Sequence, residues 1–174
     1  MVFNTAMNAP IEFKAPWSPG LRRASMISVG ALCLVTVGAA VAWGQTRVPM
    51  TLLAVALPPV ILVVCALCMV QGYVLTGREI VVKRLGWIHR LPIEGLLSVS
   101  GDNEAMANSL RLLGNGGLLS YSGYFWNRKT GRYRAFATDP SRAVILNYGK
   151  RRIVITPDDP QRFIVRLRTM LKNR

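Results

Sequence analysis

The chain has 174 residues, 51% of them hydrophobic, with 22 Lys and Arg against 8 Asp and Glu, a net charge of +14. That length holds one domain of ordinary size beside any membrane segment. All three cysteines (Cys33, Cys65, Cys68) lie in apolar runs and there is one histidine, which leaves the polar part with no disulfide framework and no ligand set for a metal.

Residues 1–23 read as a flexible basic tail with Pro10, Pro16 and Pro19, little periodicity, and Trp17 suited to a membrane interface. From Ala24 to Thr46 there is no charged residue; after Arg47, Val48 to Gly77 is uncharged again. The segment 24–75 therefore reads as a transmembrane helical hairpin, with spans at about 24–44 and 49–72. At about 1.5 Å per residue the first span covers about 31 Å, close to the ~30 Å hydrocarbon core of a bilayer. Arg22-Arg23, the apolar core and Ala40-Val41-Ala42 imitate a cleaved signal peptide. Against cleavage, the run is long enough to span, and the product would begin almost directly with a second span.

Pro58-Pro59 removes two backbone donors inside the second run and predicts a kink or break there. Cys65-Ala-Leu-Cys68 has redox spacing but an apolar setting, and small hydrophobes packed between helices account for it. Neither span carries an interior acid or base, so an anchor fits better than an ion pathway. Lys14, Arg22, Arg23, Arg78, Lys83 and Arg84 flank the hairpin, while its turn holds only Arg47. The positive-inside rule puts both termini in the cytoplasm.

From Arg78 the period changes. A hairpin is expected over Glu79–Leu85 and Trp87–Leu91, turning near Gly86, with a third strand over Leu96–Ser100. Asp102–Leu113 is ambiguous between a short helix and a strand. Gly114-Asn-Gly-Gly117 marks a turn or loop; Leu119 stands where a dinucleotide fingerprint needs its third glycine. Further strands are expected over Leu118–Trp126, Tyr133–Thr138, Ala143–Tyr148 and Arg152–Thr156. In the second of these, Tyr133, Ala135 and Ala137 share one face and Arg134, Phe136 and Thr138 the other. A helix follows Pro157, capped by Asp158 or Asp159, with Phe163, Ile164, Leu167, Met170 and Leu171 on one face. The fold class is thus α+β: a helical hairpin, then a small barrel or curved sheet of about seven strands closed by a C-terminal amphipathic helix.

No catalytic constellation assembles from the polar residues. His89 stands alone on a strand, Asp158 and Asp159 suit helix capping, and no nucleophile elbow accompanies the serines. Charge is the remaining signal, with 18 Lys and Arg against 7 Asp and Glu after Thr76. Arg128, Lys129, Arg132 and Arg134 flank one turn, Lys150, Arg151 and Arg152 another, and Lys83 and Arg84 lie near the first. These nine residues are either a solvated charged rim or a surface contacting anionic lipid headgroups or a protein partner. Nucleic acid is the less favoured polyanion, since no recognition motif accompanies the charge.

Leu113-Gly-Asn-Gly-Gly-Leu118, Gly123-Tyr-Phe125, Gly131-Arg-Tyr-Arg-Ala-Phe-Ala-Thr-Asp139 and Ile153-Val-Ile-Thr-Pro-Asp-Asp-Pro160 with Phe163 carry a resemblance. Over about 78–172 the chain resembles the bacterial pleckstrin-homology (PH-like) domain family of small membrane proteins. The resemblance implies a bent β-barrel with a C-terminal helix; with the flanking charges, the expected PH-like domain over 76–174 lies on the cytoplasmic side of a bacterial inner membrane. It carries over no catalytic residues, metal or cofactor. The expected function is a non-catalytic, membrane-anchored binding or scaffolding module. The rival is an accessory or regulatory subunit of a larger membrane complex, its small residues Gly30, Gly38, Ala39 and Ala40 packed on partner spans.

Overall fold

The structure is a computed structural model that describes residues 10–172. The expected tail is only partly testable, since residues 1–9 lie outside the described residues. Within it, Ile11–Lys14 forms a strand, β1, rather than flexible chain. Its reason is tertiary: β1 pairs antiparallel with Val70–Leu75 (β2), setting Phe13 opposite Tyr73. The Phe13 ring meets Phe163 edge-on, with centroids 5.0 Å apart.

Four residues after β1 the chain enters α1, Pro19–Thr46. Ser18 caps it, its Oγ accepting from the Leu21 amide at 3.1 Å, and Pro19 fits the first turn where no donor is needed. These signals start the helix five residues ahead of Ala24. Arg47 closes it in a left-handed conformation, its N–H donating to the Trp43 carbonyl at 3.1 Å. Helix α2, Pro49–Leu67, packs back along α1. Of the kink or break expected at Pro58 and Pro59, the break does not occur: α2 stays helical through both, with Pro58 buried. Both helices are long and apolar enough to cross a membrane and expose nearly all their side chains.

The second span was expected to reach residue 72, but α2 ends at Leu67. Val70, Tyr73 and Leu75 instead enter the core of the β-domain as part of β2. Among the described residues the domain thus contains ten strands rather than about seven, and the expected small barrel takes the form of two sheets. The first sheet has the order β1-β2-β3-β4, with β3 at Glu79–Arg84 and β4 at Ile88–Pro92. The second comprises β5 (Ser98–Gly101), β6 (Leu110–Gly116), β7 (Tyr121–Asn127), β8 (Gly131–Ala137), β9 (Val144–Asn147) and β10 (Arg152–Ile155). Its order is β5-β9-β10-β8-β7-β6, with β10 parallel to β8 and the other pairs antiparallel.

Alternation on β8 builds two cores. Phe136 joins the main one between the sheets, with Phe13, Tyr73, Ile80 and Val144; Tyr133, Ala135 and Ala137 join a second on the outer face with Met106 and Phe125. Helix α3, Pro160–Lys172, closes the main core with Phe163, Ile164 and Leu167 buried. Asp159 is its cap, its carboxylate accepting from the Arg162 amide at 2.9 Å.

The glycine-rich run is not simply a loop. Gly114, Asn115 and Gly116 belong to β6, and Gly114 faces Gly123 across the β6–β7 pair. A Cβ on Gly114 would fall 2.3 Å from the Ser122 carbonyl oxygen, and Gly114 sits at φ +106. Two backbones approach here more closely than any side chain allows. Asn115 then shapes the turn, its Oδ1 accepting from the Leu118 amide at 2.9 Å.

Candidate binding cleft

An open cleft of about 810 Å³ lies between β4, the outer strand of the first sheet, and the β7–β8 face and β9–β10 turn of the second. Its walls carry Arg90, Arg132, Arg134, Lys150, Arg151 and Arg152, and the only carboxylate among its lining residues is Glu94. Strand pairing explains the grouping. Tyr124 and Arg134 are direct cross-strand partners. Arg132, two residues away, shares their face. The Tyr124 ring lies 5.5 Å from the Arg132 guanidinium and 5.7 Å from that of Arg134, within cation–π range. At the far end Tyr148 donates from its hydroxyl to the Pro92 carbonyl at 2.9 Å, joining the β9–β10 turn to β4. Burial pushes the Tyr148 hydroxyl up to about 12, so it stays protonated.

Charge in the cleft is only partly compensated. Arg90 pairs with Glu79 at 3.2 Å, and Arg152 donates to the Thr130 carbonyl. Toward the inner end the Arg134 guanidinium lies 4.7 Å from the Phe136 ring, and so does that of Arg84. The His89 ring packs against the same phenyl at 4.9 Å. Burial, then the charges of Arg134 and Arg84, hold His89 below its ordinary value. Burial likewise lowers Arg84, whose Nε is enclosed without a hydrogen-bond partner. His89 lines the cleft, so added positive charge is disfavoured there, and an anion would offset that.

Five of the nine cationic residues singled out in the sequence, Arg132, Arg134, Lys150, Arg151 and Arg152, line this cleft. The other four do not. The Lys83 ammonium bonds the Glu12 carboxylate at 2.7 Å, clamping β3 to β1 across β2. Arg84 is half-buried and donates to Ser122 Oγ at 2.9 Å, so it is committed to joining the sheets rather than exposed to lipid. Lys129 bridges Asp102 and Glu104 at 3.0 and 3.2 Å, and those contacts hold it above its ordinary value. Arg128 is exposed on the same turn, outside the cleft. Sequence reasoning missed Arg90, Tyr124 and Tyr148 and set His89 aside. The β7–β8 pairing sets Tyr124 beside Arg134, and the placement of β4 against the second sheet brings Arg90 and His89 toward them and Tyr148 onto Pro92; no local pattern announces either.

Among the described residues no three His, Cys, Asp or Glu side chains gather as a metal set. Cys65 and Cys68, at the end of α2, are free thiols. No curated protein and no solved structure was found to match the chain. One family model does, that of the bacterial PH domain, over residues 71–171. The match begins inside β2 and ends inside α3, the limits within which the two sheets and their closing helix lie apart from β1. Over that β-rich domain, which makes up more than half of its length, the chain belongs to the bacterial PH domain family.

Proposed function

We propose that this is a membrane-anchored, non-catalytic binding module whose basic cleft takes an anionic lipid headgroup. The α1–α2 hairpin would cross the inner membrane, with both termini and the β-domain on the cytoplasmic side. The observation that carries the reading is the cleft's charge: six cations face a single carboxylate, and Arg132 and Arg134 meet an aromatic face rather than an acid. Guanidinium groups with unused donors suit phosphate oxygens, which they bind in pairs. Family membership supports a binding role and supplies no chemistry.

The test is hydrogen exchange on the full chain in nanodiscs of neutral lipid and of mixed neutral and anionic lipid. Anionic lipid should slow exchange along β4, β8 and the β9–β10 turn, and high salt should reverse the effect. Paired Arg132→Ala and Arg134→Ala changes should abolish it. Equal exchange in the two nanodiscs sinks the proposal.

A second reading has its own support. Strand β6 is an outer strand of its sheet, and Leu110, Leu112 and Leu113 on it are 63, 53 and 68% exposed. An unpaired apolar edge is where a protein partner adds a strand, as an accessory subunit would require. A stoichiometric protein retained through gentle detergent purification favours that role.

A further inference from the structure

We propose that the β3–β4 hairpin tip, Leu85-Gly86-Trp87-Ile88, is inserted in the headgroup layer of the leaflet where α2 ends. The inference rests on the reading that α1 and α2 cross a bilayer. Two backbone bonds fix the tip's level. The Gly86 amide donates to the carbonyl of Leu67, the last residue of α2, at 3.0 Å, and the Leu85 amide donates to the Met69 carbonyl at 3.2 Å. The contact is flush, since a Cβ on Gly86 would lie 3.1 Å from the Leu67 side chain. If Leu67 lies at the edge of the hydrocarbon, the tip lies there too.

Its composition suits that place. Hairpin turns that face water are built from Gly, Asn, Asp and Ser, but this one presents Leu85, Trp87 and Ile88, which are 53, 48 and 51% exposed. Tryptophan concentrates at membrane interfaces because one part of it is apolar and its N–H seeks a polar partner. The indole is held from behind by the Arg84 guanidinium, 5.5 Å from its ring. Arg84 is fixed in turn by Ser122 and Phe136. A second aromatic, Trp17, is 37% exposed two residues ahead of α1. The domain would therefore sit on the bilayer with a fixed tilt, set by an apolar tip beside the helix ends.

The four tryptophans supply the test. Single-tryptophan chains, with the other three replaced by Phe, are reconstituted in vesicles of phosphatidylcholine brominated at shallow or deep acyl positions. Trp43 lies within α1 and reports whether the hairpin is in the bilayer. Ser25 of α1 bonds Gly117 and Leu119 in the β6–β7 turn, and Trp126 stands five residues along β7 from Tyr121, about 17 Å away from that turn, so it serves as the unquenched reference. Trp87 emission should be blue-shifted and quenched several-fold more by shallow than by deep bromines. Quenching of Trp43 with Trp87 as unquenched as Trp126 overturns the tip insertion and leaves the anchor standing. An unquenched Trp43 overturns the anchor itself. A Trp87 that is blue-shifted but unquenched is covered by protein, and that also refutes the proposal. Should triple replacement unfold the domain, Trp87→Phe alone must lower the bromolipid quenching of total emission relative to the unaltered chain; no change refutes it.

Discussion

Replacing Phe13 by Ala tests whether the segment before α1 belongs to the domain. A residue in a flexible tail would tolerate the change within about 0.5 kcal/mol. Phe13 is instead 2% exposed, and its ring packs edge-on against Phe163. Phe-to-Ala changes at such sites cost about 3–5 kcal/mol, from lost burial and from the cavity left behind. The upper half of that range is expected here, because the cavity would open between β1 and α3, two elements whose backbones are fixed by other contacts. The Ala15 amide donates to the Gln71 carbonyl at 3.3 Å, and the Asp158 amide to that of Lys14 at 2.9 Å. The assay is urea unfolding of the full chain in neutral nanodiscs, followed by Trp87 and Trp126 fluorescence. Adding Phe163→Ala completes a double-mutant cycle, and the ring pair should show a coupling of about 0.5–1.5 kcal/mol. A loss below about 1 kcal/mol for Phe13→Ala would refute the placement of β1 in the core.

Tyr73→Phe should cost about 1–3 kcal/mol in the same assay, because the buried hydroxyl donates to the Phe136 carbonyl at 2.6 Å and accepts from the Thr156 amide at 3.1 Å. Burial also pushes this phenol up to about 12 from an ordinary 10.0. The folded chain then keeps a proton that the unfolded chain loses, so stability falls as pH rises above about 10. Tyr73→Phe should remove about 1.4 kcal/mol per pH unit of that slope, visible in unfolding curves on the alkaline side. His89 runs the other way. Its folded value is lowered, the unfolded chain takes up the proton first, and stability is lost as pH falls through 6.5 and below. His89→Gln should flatten that acid-side loss, as followed by midpoint against pH. Gly123→Ala should disrupt the β6–β7 pair, because its Cβ would lie 2.1 Å from the Leu113 carbonyl oxygen at φ +147; amide exchange along Leu110–Gly116 should accelerate.

Much of the architecture was legible because it is local. The apolar runs give α1 and α2, turn residues mark the β3–β4 and β9–β10 hairpins, and periodicity with an acidic cap gives α3. The alternation of Tyr133 to Thr138 even separates the two cores that β8 divides. What failed was non-local. Ile11–Lys14 is four residues between prolines, and nothing in it says strand until β2 lies beside it. Val70–Leu75 carries no charge and continues the uncharged run that α2 begins, so the absence of charge could not separate the two. Among the cations, runs in the sequence suggested one rim. The structure spends Lys83, Arg84 and Lys129 on holding elements together and recruits Arg90 from an expected strand whose packing against the second sheet the sequence did not announce.

The connection between the helical pair and the β-domain bears on function. The helical hairpin is not attached by a linker: it is inserted between two paired strands, with four residues from β1 to α1 and two from α2 to β2. Further bonds brace the junction. Ser25 Oγ accepts from the Leu119 amide at 2.9 Å and donates to the Gly117 carbonyl at 3.3 Å, seating the β6–β7 turn on α1. Thr138 Oγ1 donates to the Pro16 carbonyl at 2.8 Å, and the Ser18 amide to the Thr138 carbonyl at 3.2 Å. A piece beginning at residue 78 would lose β1 and β2, and with them the buried side chains of Phe13, Val70, Tyr73 and Leu75. At about 1.5–3 kcal/mol each, that is about 6–12 kcal/mol, as large as the whole stability of an ordinary domain. Such a piece should not fold, and a sharp unfolding transition from it would refute the argument. A domain closed by the strands on either side of the helical pair cannot swing on a tether; with that pair across a bilayer, as proposed above, the fold would set the cleft's height over the surface.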